Sequence, residues 1–356
     1  MKRTAFIMAG GRGERFWPKS RKNLPKQFLS LTNDGRTMIQ LTIDRILPIV
    51  PIEDIYVSTI ESYRQLVEEQ LPLLPKENIL CEPVSRNTAP SIGLGAAYIQ
   101  HQYGDALMIV LPSDHLIKDH EAFTQAVEQA CPIAEKDHNL VTLGILPNYP
   151  ETCYNYIKID ESHKKDCTYK MYRFLGKPGL QEAVDYYTED GYYWYSRMFV
   201  WKTSSILENM HQFQLRTYDA ITKIQAALGT SKQKQTIQDV FPNIRSESID
   251  STIMRKSSDI YVLPCHFDWN DVGTWLSIER INGTDKNKNS ISGNVVTVDT
   301  KYCTIESTDK LMAVVGMENV IIVDTPDATL VCSKKDTDQI RTVLEKLRLQ
   351  GKEEYL

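Results

Sequence analysis

Ala9-Gly10-Gly11-Arg12-Gly13-Glu14-Arg15-Phe16-Trp17-Pro18, followed by Leu24-Pro25-Lys26-Gln27-Phe28, decides how this chain is read. The stretch stands directly behind an apolar run, Thr4 to Met8, that reads as a buried first strand. Three glycines in four positions let a backbone approach an anion and turn its N–H groups toward it, while Arg12 and Lys26 supply positive charge for a phosphate chain. A glycine-rich turn behind a strand also serves simply to reverse the chain, but such a turn has no use for inward-facing cations, which are costly when unpaired. Two rival loops are excluded by spacing. The residue after Gly11-Arg12-Gly13-Glu14-Arg15 is Phe16, which breaks G-x-G-x-x-G, and no G-K-[ST] follows. A nucleoside triphosphate is the guest this combination suits.

Outward from that loop, apolar runs recur at 54–59, 78–80, 106–111 and 140–146, separated by segments of helical period. Phe123, Ala126, Val127, Ala130 and Ala134, for instance, share one helical face. This alternation predicts an α/β fold with a doubly wound, mostly parallel, Rossmann-like sheet, whose ligands gather beyond the carboxyl ends of the strands. The glycine loop and Asp114 each follow a strand and belong to that rim. From Tyr149 to Trp201 the segments shorten and fill with aromatics, Tyr192-Tyr193-Trp194-Tyr195 among them, fit equally for core and for a ligand platform. After Gly283 come short runs at 295–298, 303–306, 311–315, 320–323 and 329–332, then a helix over 337–349. The predicted division is a catalytic domain, 1–283, and a small β domain with a terminal helix, 284–356.

Composition narrows the class. With 356 residues the chain exceeds one typical core. A net charge of −5 with dispersed basic residues argues against nucleic acid as a partner. Seven scattered cysteines, an odd number without C-x-x-C, fit a reducing cytoplasm better than a disulfide framework or zinc site. Met1-Lys2-Arg3 and the brief apolar run behind it read as a core strand, not a signal peptide, and no run approaches the roughly 20 residues of a membrane span.

Further segments, Glu82-Pro83, Arg86-Asn87-Thr88-Ala89-Pro90, Leu111-Pro112-Ser113-Asp114-His115 and Phe267-Asp268-Trp269-Asn270-Asp271-Val272-Gly273-Thr274-Trp275, carry a likeness along nearly the whole chain. The sequence resembles the mannose-1-phosphate guanylyltransferase family of sugar-1-phosphate nucleotidyltransferases. The resemblance implies transfer of GMP from GTP to a sugar 1-phosphate, by default mannose 1-phosphate. It also implies Mg²⁺ as cofactor, a homodimer, and a left-handed β-helix-like tail. An attached isomerase is not expected, because the chain ends after that tail.

The chemistry is that of two anions. A sugar phosphate is an ionised nucleophile and needs no general base; the reaction demands alignment, neutralised repulsion and a stabilised leaving pyrophosphate. Arg12 suits the β and γ phosphates and Lys26 the α-phosphate, while Arg15 and Lys19 stay ambiguous. Asp114, and Asp271 brought near by folding, suit a hard cation; a lone Asp after a strand otherwise commonly caps a helix. His115 reads as structural or phosphate-facing. By resemblance Ala9, Gly10, Gly11, Gly13 and Ser113 belong to the nucleotide site, and Glu82, Asn87 and Thr88 surround the guanine. Asn87 or Thr88 equally reads as an ordinary helix cap.

On the acceptor side the resemblance points to Lys177, Tyr154, Asn155, Tyr195, Arg197 and Arg255, and here the chain departs from the family. Glu-Thr-Gly-Tyr-Gly-Tyr-Ile is Glu151-Thr152-Cys153-Tyr154-Asn155-Tyr156-Ile157, Glu-Lys-Pro is Gly176-Lys177-Pro178, Trp-Asn-Ser-Gly-Met-Phe is Trp194-Tyr195-Ser196-Arg197-Met198-Phe199, and Met-Glu-Lys is Met254-Arg255-Lys256. Lost carboxylates and gained arginines predict weaker affinity for mannose. Three readings stay open: mannose 1-phosphate, another and more acidic phosphorylated acceptor, or a non-catalytic regulatory subunit that binds sugar nucleotide. Retention of Arg12, Lys26, Asp114 and Asp271 speaks against the last.

Overall fold

A computed structural model describes all 356 residues. The chain forms two compact units, each assembled from separate stretches: Met1–Gly10, Ile43–Ser113 and Ile117–Trp269 in the first, and Gly11–Thr42, Asp114–Leu116 and Asn270–Leu356 in the second. The strands of the catalytic region are β1 (Arg3–Met8), β2 (Ile55–Ile60), β3 (Ile79–Glu82), β4 (Leu107–Pro112), β5 (Leu116–Ile117), β6 (Leu140–Ile145), β7 (Tyr156–Lys165), β8 (Thr168–Phe174), β9 (Tyr192–Lys202), β10 (Ile260–Cys265) and β11 (Trp269–Asn270). Helices α1 (Met38–Ile46), α2 (Arg64–Gln70), α3 (Thr88–Tyr103), α4 (His120–Glu135), α5 (Leu180–Thr188), α6 (Thr203–Phe213), α7 (Leu215–Ala227), α8 (Gln233–Val240), α9 (Ile249–Thr252) and α10 (Leu276–Asn282) punctuate them.

In the first unit nine strands form one sheet in the order β3-β2-β1-β4-β9-β6-β10-β8-β7. β3, β2, β1 and β4 run parallel, as do β6 and β10, whereas β9 lies antiparallel between β4 and β6. The sheet is parallel-rich and mixed. β1, β4 and β6 are apolar runs, not alternations, because helices cover both faces and every residue of β4 and β6 is buried. Phe123, Ala126, Val127, Ala130 and Ala134 are buried along α4. Asp119, not Asp114, caps that helix, accepting from the Ala122 N–H at 2.9 Å. The aromatic stretch after Tyr149 became the β7–β8 hairpin and the eleven-residue β9. Trp194 and Tyr195 are buried there, while Tyr186 and Tyr192 stack at 4.5 Å.

In the second unit β12 (Ser290–Ser292), β14 (Thr304–Glu306) and β16 (Val320–Asp324) stack in parallel, β13 (Val295–Val298) pairs parallel with β15 (Met312–Val315), and β17 (Thr329–Ser333) closes antiparallel on β16. Short parallel strands stacked coil on coil make a β-helix-like tail, which ends in α11 (Ile340–Leu349). Its core is shared with the segment behind the glycine loop. Phe16, Trp17, Leu29, Trp275, Ile321, Val323, Ile340 and Leu344 form one buried cluster. No helix is long and apolar enough to cross a membrane.

Candidate active site

Chain connectivity sets the first constraint. β1 and β4 are neighbours, Met8 opposite Pro112, and the Ser113 N–H donates to the Met8 carbonyl at 3.1 Å. Ala9 is pinned beside them: its N–H donates to the Ser58 carbonyl at 2.7 Å and its own carbonyl accepts the Thr59 hydroxyl at 3.0 Å. The two parallel strands therefore deliver the glycine loop and Asp114 from adjacent carboxyl ends.

Within the second unit the glycine loop is held by its carbonyls. Gln27 Nε2 donates to the Gly11 carbonyl at 2.9 Å and Ser20 Oγ to the Gly13 carbonyl at 2.8 Å. The glycines differ in purpose. Gly13 has φ +62°, and a Cβ built on it would lie 2.3 Å from Lys26 Cβ, so the loop and Lys26 pack back to back only because Gly13 has no side chain. A Cβ on Gly10 or Gly11 meets nothing within 4 Å. Arg12 is exposed.

Lys26 is buried, 4 % exposed, and lies against the Phe16 ring. Its Nζ donates to Asp114 Oδ2 at 2.9 Å and to the Asp271 backbone carbonyl at 2.8 Å. A buried ammonium must be paired, and these two oxygens do so. Residues 88 and 245 positions away in sequence thus meet at one nitrogen. Asp271 is shaped by its neighbours: Val272, buried and β-branched, has φ +48°, with its N–H accepted by Asn270 Oδ1 at 2.7 Å. A Cβ at Gly273 would crowd the Asp271 carboxylate at 3.0 Å. Trp275 underlies the loop, packing on Phe16 at 5.1 Å and donating to the Trp17 carbonyl at 3.1 Å. Lys19 is a structural tie, paired with Glu306 and donating to the Ser30 carbonyl at 3.3 Å.

The first unit holds the residues assigned to the base. Glu82 is buried at the end of β3 and accepts the Ser58 hydroxyl at 2.8 Å; Ser91 Oγ donates in turn to Ser58 Oγ at 2.9 Å. Burial pushes the Glu82 carboxyl up to about 7, against the hydrogen bonds of Ser91, Ser58 and the Arg86 amide, which favour its charge. Asn87 does cap α3, from φ +70°, its side chain accepting the Thr88 N–H at 2.8 Å. The Thr88 hydroxyl accepts the Ile249 N–H at 2.9 Å.

Three of the departures on the acceptor side, Tyr195, Arg197 and Arg255, are linked through Asp250 and Phe174. Tyr195 is buried and donates to Asp250 Oδ1 at 2.7 Å, and burial followed by the Asp250 charge pushes its phenol well above the ordinary value. Arg197 has φ +57° and pairs with Asp250 Oδ2 at 3.3 Å. The Arg255 guanidinium lies 5.0 Å over Phe174, whose ring packs on Tyr195 at 4.9 Å. Tyr154 is wedged between Trp194 and Trp269, at 5.2 and 5.0 Å. The Asn155 carbonyl accepts the Tyr195 N–H at 2.9 Å, and Lys177 is exposed. Asp250, Gln27, Ser58 and Ser91 were not found by sequence reading. Gln27 had a signal in its place beside Lys26, and Ser91 in its place directly behind Arg86-Asn87-Thr88-Ala89-Pro90; Ser58 and Asp250 lie outside the quoted motifs.

A buried lysine between carboxylate and carbonyl, behind a glycine loop at the end of a parallel strand, marks a nucleotide-handling α/β enzyme. The model of the family described as Nucleotidyl transferase matches residues 4–288, and the chain belongs to that family. A second model, described as MannoseP isomerase/GMP-like beta-helix domain, matches 293–347. The similarity narrows further. The chain is 37% identical over 360 residues, covering 98% of its length and 74% of the relative, to the mannose-1-phosphate guanylyltransferase of Klebsiella pneumoniae. It is 38% identical over 352 residues, with 98% and 74% covered, to the xanthan biosynthesis protein XanB of Xanthomonas campestris pv. campestris strain B100. A crystal structure from Thermus thermophilus, described as a mannose-1-phosphate geranyltransferase, superposes with a TM-score of 0.88 at 30% identity, covering 98% of this chain and all (100%) of that one.

Proposed function

We propose that the protein transfers GMP from GTP to a sugar 1-phosphate, by default mannose 1-phosphate, releasing pyrophosphate. The observation that carries this reading is the Lys26 ammonium fixed between Asp114 and the Asp271 carbonyl. Lys26 has one rotamer-locked position from which to meet charge growing on the α-phosphate, while exposed Arg12 takes the β and γ phosphates. The open space beside Gly10 and Gly11 suits the close approach of a phosphate chain, with Ala9, Gly13 and Ser113 holding the loop and its adjoining strand end. Electrostatic preorganisation of this kind costs no reorganisation at the moment of reaction.

Mg²⁺ is the implied cofactor, and the donors fit it. Asp114 and Asp271 offer carboxylate oxygens, the hard donors that such an ion takes alongside water and substrate oxygens. Bound there, it supplies charge neutralisation and orientation of the phosphates. Glu82, Asn87 and Thr88 border the guanine, with the Glu82 carboxylate accepting from the ring N–H and exocyclic amine that adenine lacks in that arrangement.

Lys177 takes the acceptor phosphate, and Tyr154, Asn155, Tyr195, Arg197 and Arg255 surround the sugar. Arg197 is matched by Asp250, so its added charge is met inside the protein and requires no acidic acceptor. The relatives carry the mannose-phosphate reading, and nothing in them favours a silent regulatory subunit. We divide the labour near residue 284, with catalysis before it. We place the enzyme in the cytoplasm, on the strength of seven unbridged cysteines, and as a homodimer, because Val296, Val298, Leu311 and Val315 leave the β tail with an exposed apolar face. Pyrophosphate release measured across four nucleoside triphosphates and a panel of sugar phosphates tests the whole reading. Activity confined to GTP and mannose 1-phosphate supports it; none with any pair overturns it.

A further inference from the structure

Glu82 is a single carboxylate at the end of β3, 4 % exposed, surrounded by donors from three elements. Ser58 comes from the neighbouring strand β2, whose residues 57–60 pair with 79–82 of β3. Ser91 comes from the first turn of α3, and the Arg86 amide from the loop between β3 and α3. Both serines are themselves buried, at 2 % and 7 % exposure. A hydroxyl has one proton to give. Ser58 gives its proton to Glu82 at 2.8 Å and therefore must accept at its own oxygen, which is where Ser91 donates at 2.9 Å. Ser91 also hydrogen-bonds the carboxyl itself, so the two hydroxyls converge on Glu82.

This arrangement has a use beyond filling space. A buried carboxyl tends to take up a proton, and a protonated one becomes a donor where guanine presents donors. It also rotates about its last torsion, which is broad and two-fold for Glu. Two hydroxyls and an amide oppose both tendencies, since each favours the ionised form and one torsional setting. We propose that Ser58 and Ser91 are positioning residues for nucleotide-base discrimination, holding the Glu82 carboxylate as an oriented acceptor. The proposal rests on the reading of Glu82 as a contact to guanine.

The experiment compares GTP with inosine triphosphate, which keeps the ring N–H and lacks the exocyclic amine, and with ATP, in steady-state pyrophosphate release by the full chain. Glu82→Gln is measured beside Ser58→Ala, Ser91→Ala and Ser58→Thr. The expected result is a rise of ten-fold or more in KM for GTP in Ser58→Ala, a smaller rise in Ser91→Ala, and kcat within three-fold of the parent. The GTP to inosine triphosphate preference should shrink toward that of Glu82→Gln, with partial recovery in Ser58→Thr. If Glu82→Gln keeps the full preference, Glu82 does not contact guanine and the underlying reading fails. If Glu82→Gln loses it while both alanine variants fold and keep it, the serines do not position the carboxylate and this inference fails. Circular dichroism melts of each variant distinguish a folding loss, and Ser91→Ala carries the test if Ser58→Ala does not fold.

Discussion

Gly13→Ala tests the connection between the glycine loop and Lys26. The backbone at Gly13 has φ +62°, where an L side chain costs about 1–2 kcal/mol. The added Cβ would stand 2.3 Å from Lys26 Cβ and 2.8 Å from Lys26 N, against the ~3.5–4 Å at which carbon atoms rest. Backbone and side chain of residue 26 must therefore move by more than about 1 Å, and a displacement of that size at a catalytic group lowers rate on the order of 10²-fold. That corresponds to about 2.7 kcal/mol of lost transition-state stabilisation. Stopped or single-turnover pyrophosphate release with saturating GTP and mannose 1-phosphate reads the effect directly. The control is Gly11→Ala, whose Cβ meets nothing in the protein, so its melting temperature should not change while its KM for GTP rises as the methyl intrudes on the phosphates. A kcat for Gly13→Ala within three-fold of the parent would refute the claim that this glycine sets the position of Lys26. A Gly11→Ala enzyme with unaltered KM would show that the loop is only a turn.

Three other outcomes follow from the same geometry. Asp114→Asn removes the charge facing buried Lys26 while leaving an oxygen acceptor on a partly exposed side chain, so melting should fall by an amount equivalent to about 1–3 kcal/mol, and the Mg²⁺ concentration for half-maximal rate should rise at least ten-fold; an unchanged Mg²⁺ titration would remove Asp114 from the metal site. Glu82 has a carboxyl raised to about 7 by burial from an ordinary 4.5, so the folded state binds the proton more tightly and its stability falls as pH rises from about 4.5 to about 7. Denaturant melts at pH 5 and 8 should therefore show Glu82→Gln gaining relative to the parent by up to ~3 kcal/mol at the higher pH, and parallel pH profiles would contradict this. Arg197→Gly relieves a φ of +57° but breaks the pair with Asp250, two effects of opposite sign and near 1 kcal/mol each; the melting temperature should move by less than about 4 °C, and a large loss would mean that Arg197 is a structural keystone.

Much of the fold was legible because burial writes itself into local pattern. β1, β4 and β6 are apolar runs since both faces of a parallel sheet are covered, and the short strands of the tail are broken by turn residues at each corner. The antiparallel place of β9, between β4 and β6, was not legible, because pairing partners far apart in sequence leave no periodic trace in either strand. Nor was the partition of the chain into units, in which residues 11–42 join the tail through Phe16, Trp17 and Trp275.

For the site, the linear chain determined which chemistry is available: glycines that permit close approach, cations for phosphates, and carboxylates for a hard ion. Folding alone decided which of these groups meet. Lys26, Asp114 and the Asp271 carbonyl converge because an ammonium shut away from water needs oxygens around it, wherever in the sequence they originate. The same requirement drew Asp250 to Tyr195 and Arg197, and Ser58 and Ser91 to Glu82, residues outside the motifs themselves. Motifs name the reacting groups, whereas the partners that hold those groups are selected by three-dimensional satisfaction of buried charge and hydrogen bonds, a condition that no spacing along the chain encodes.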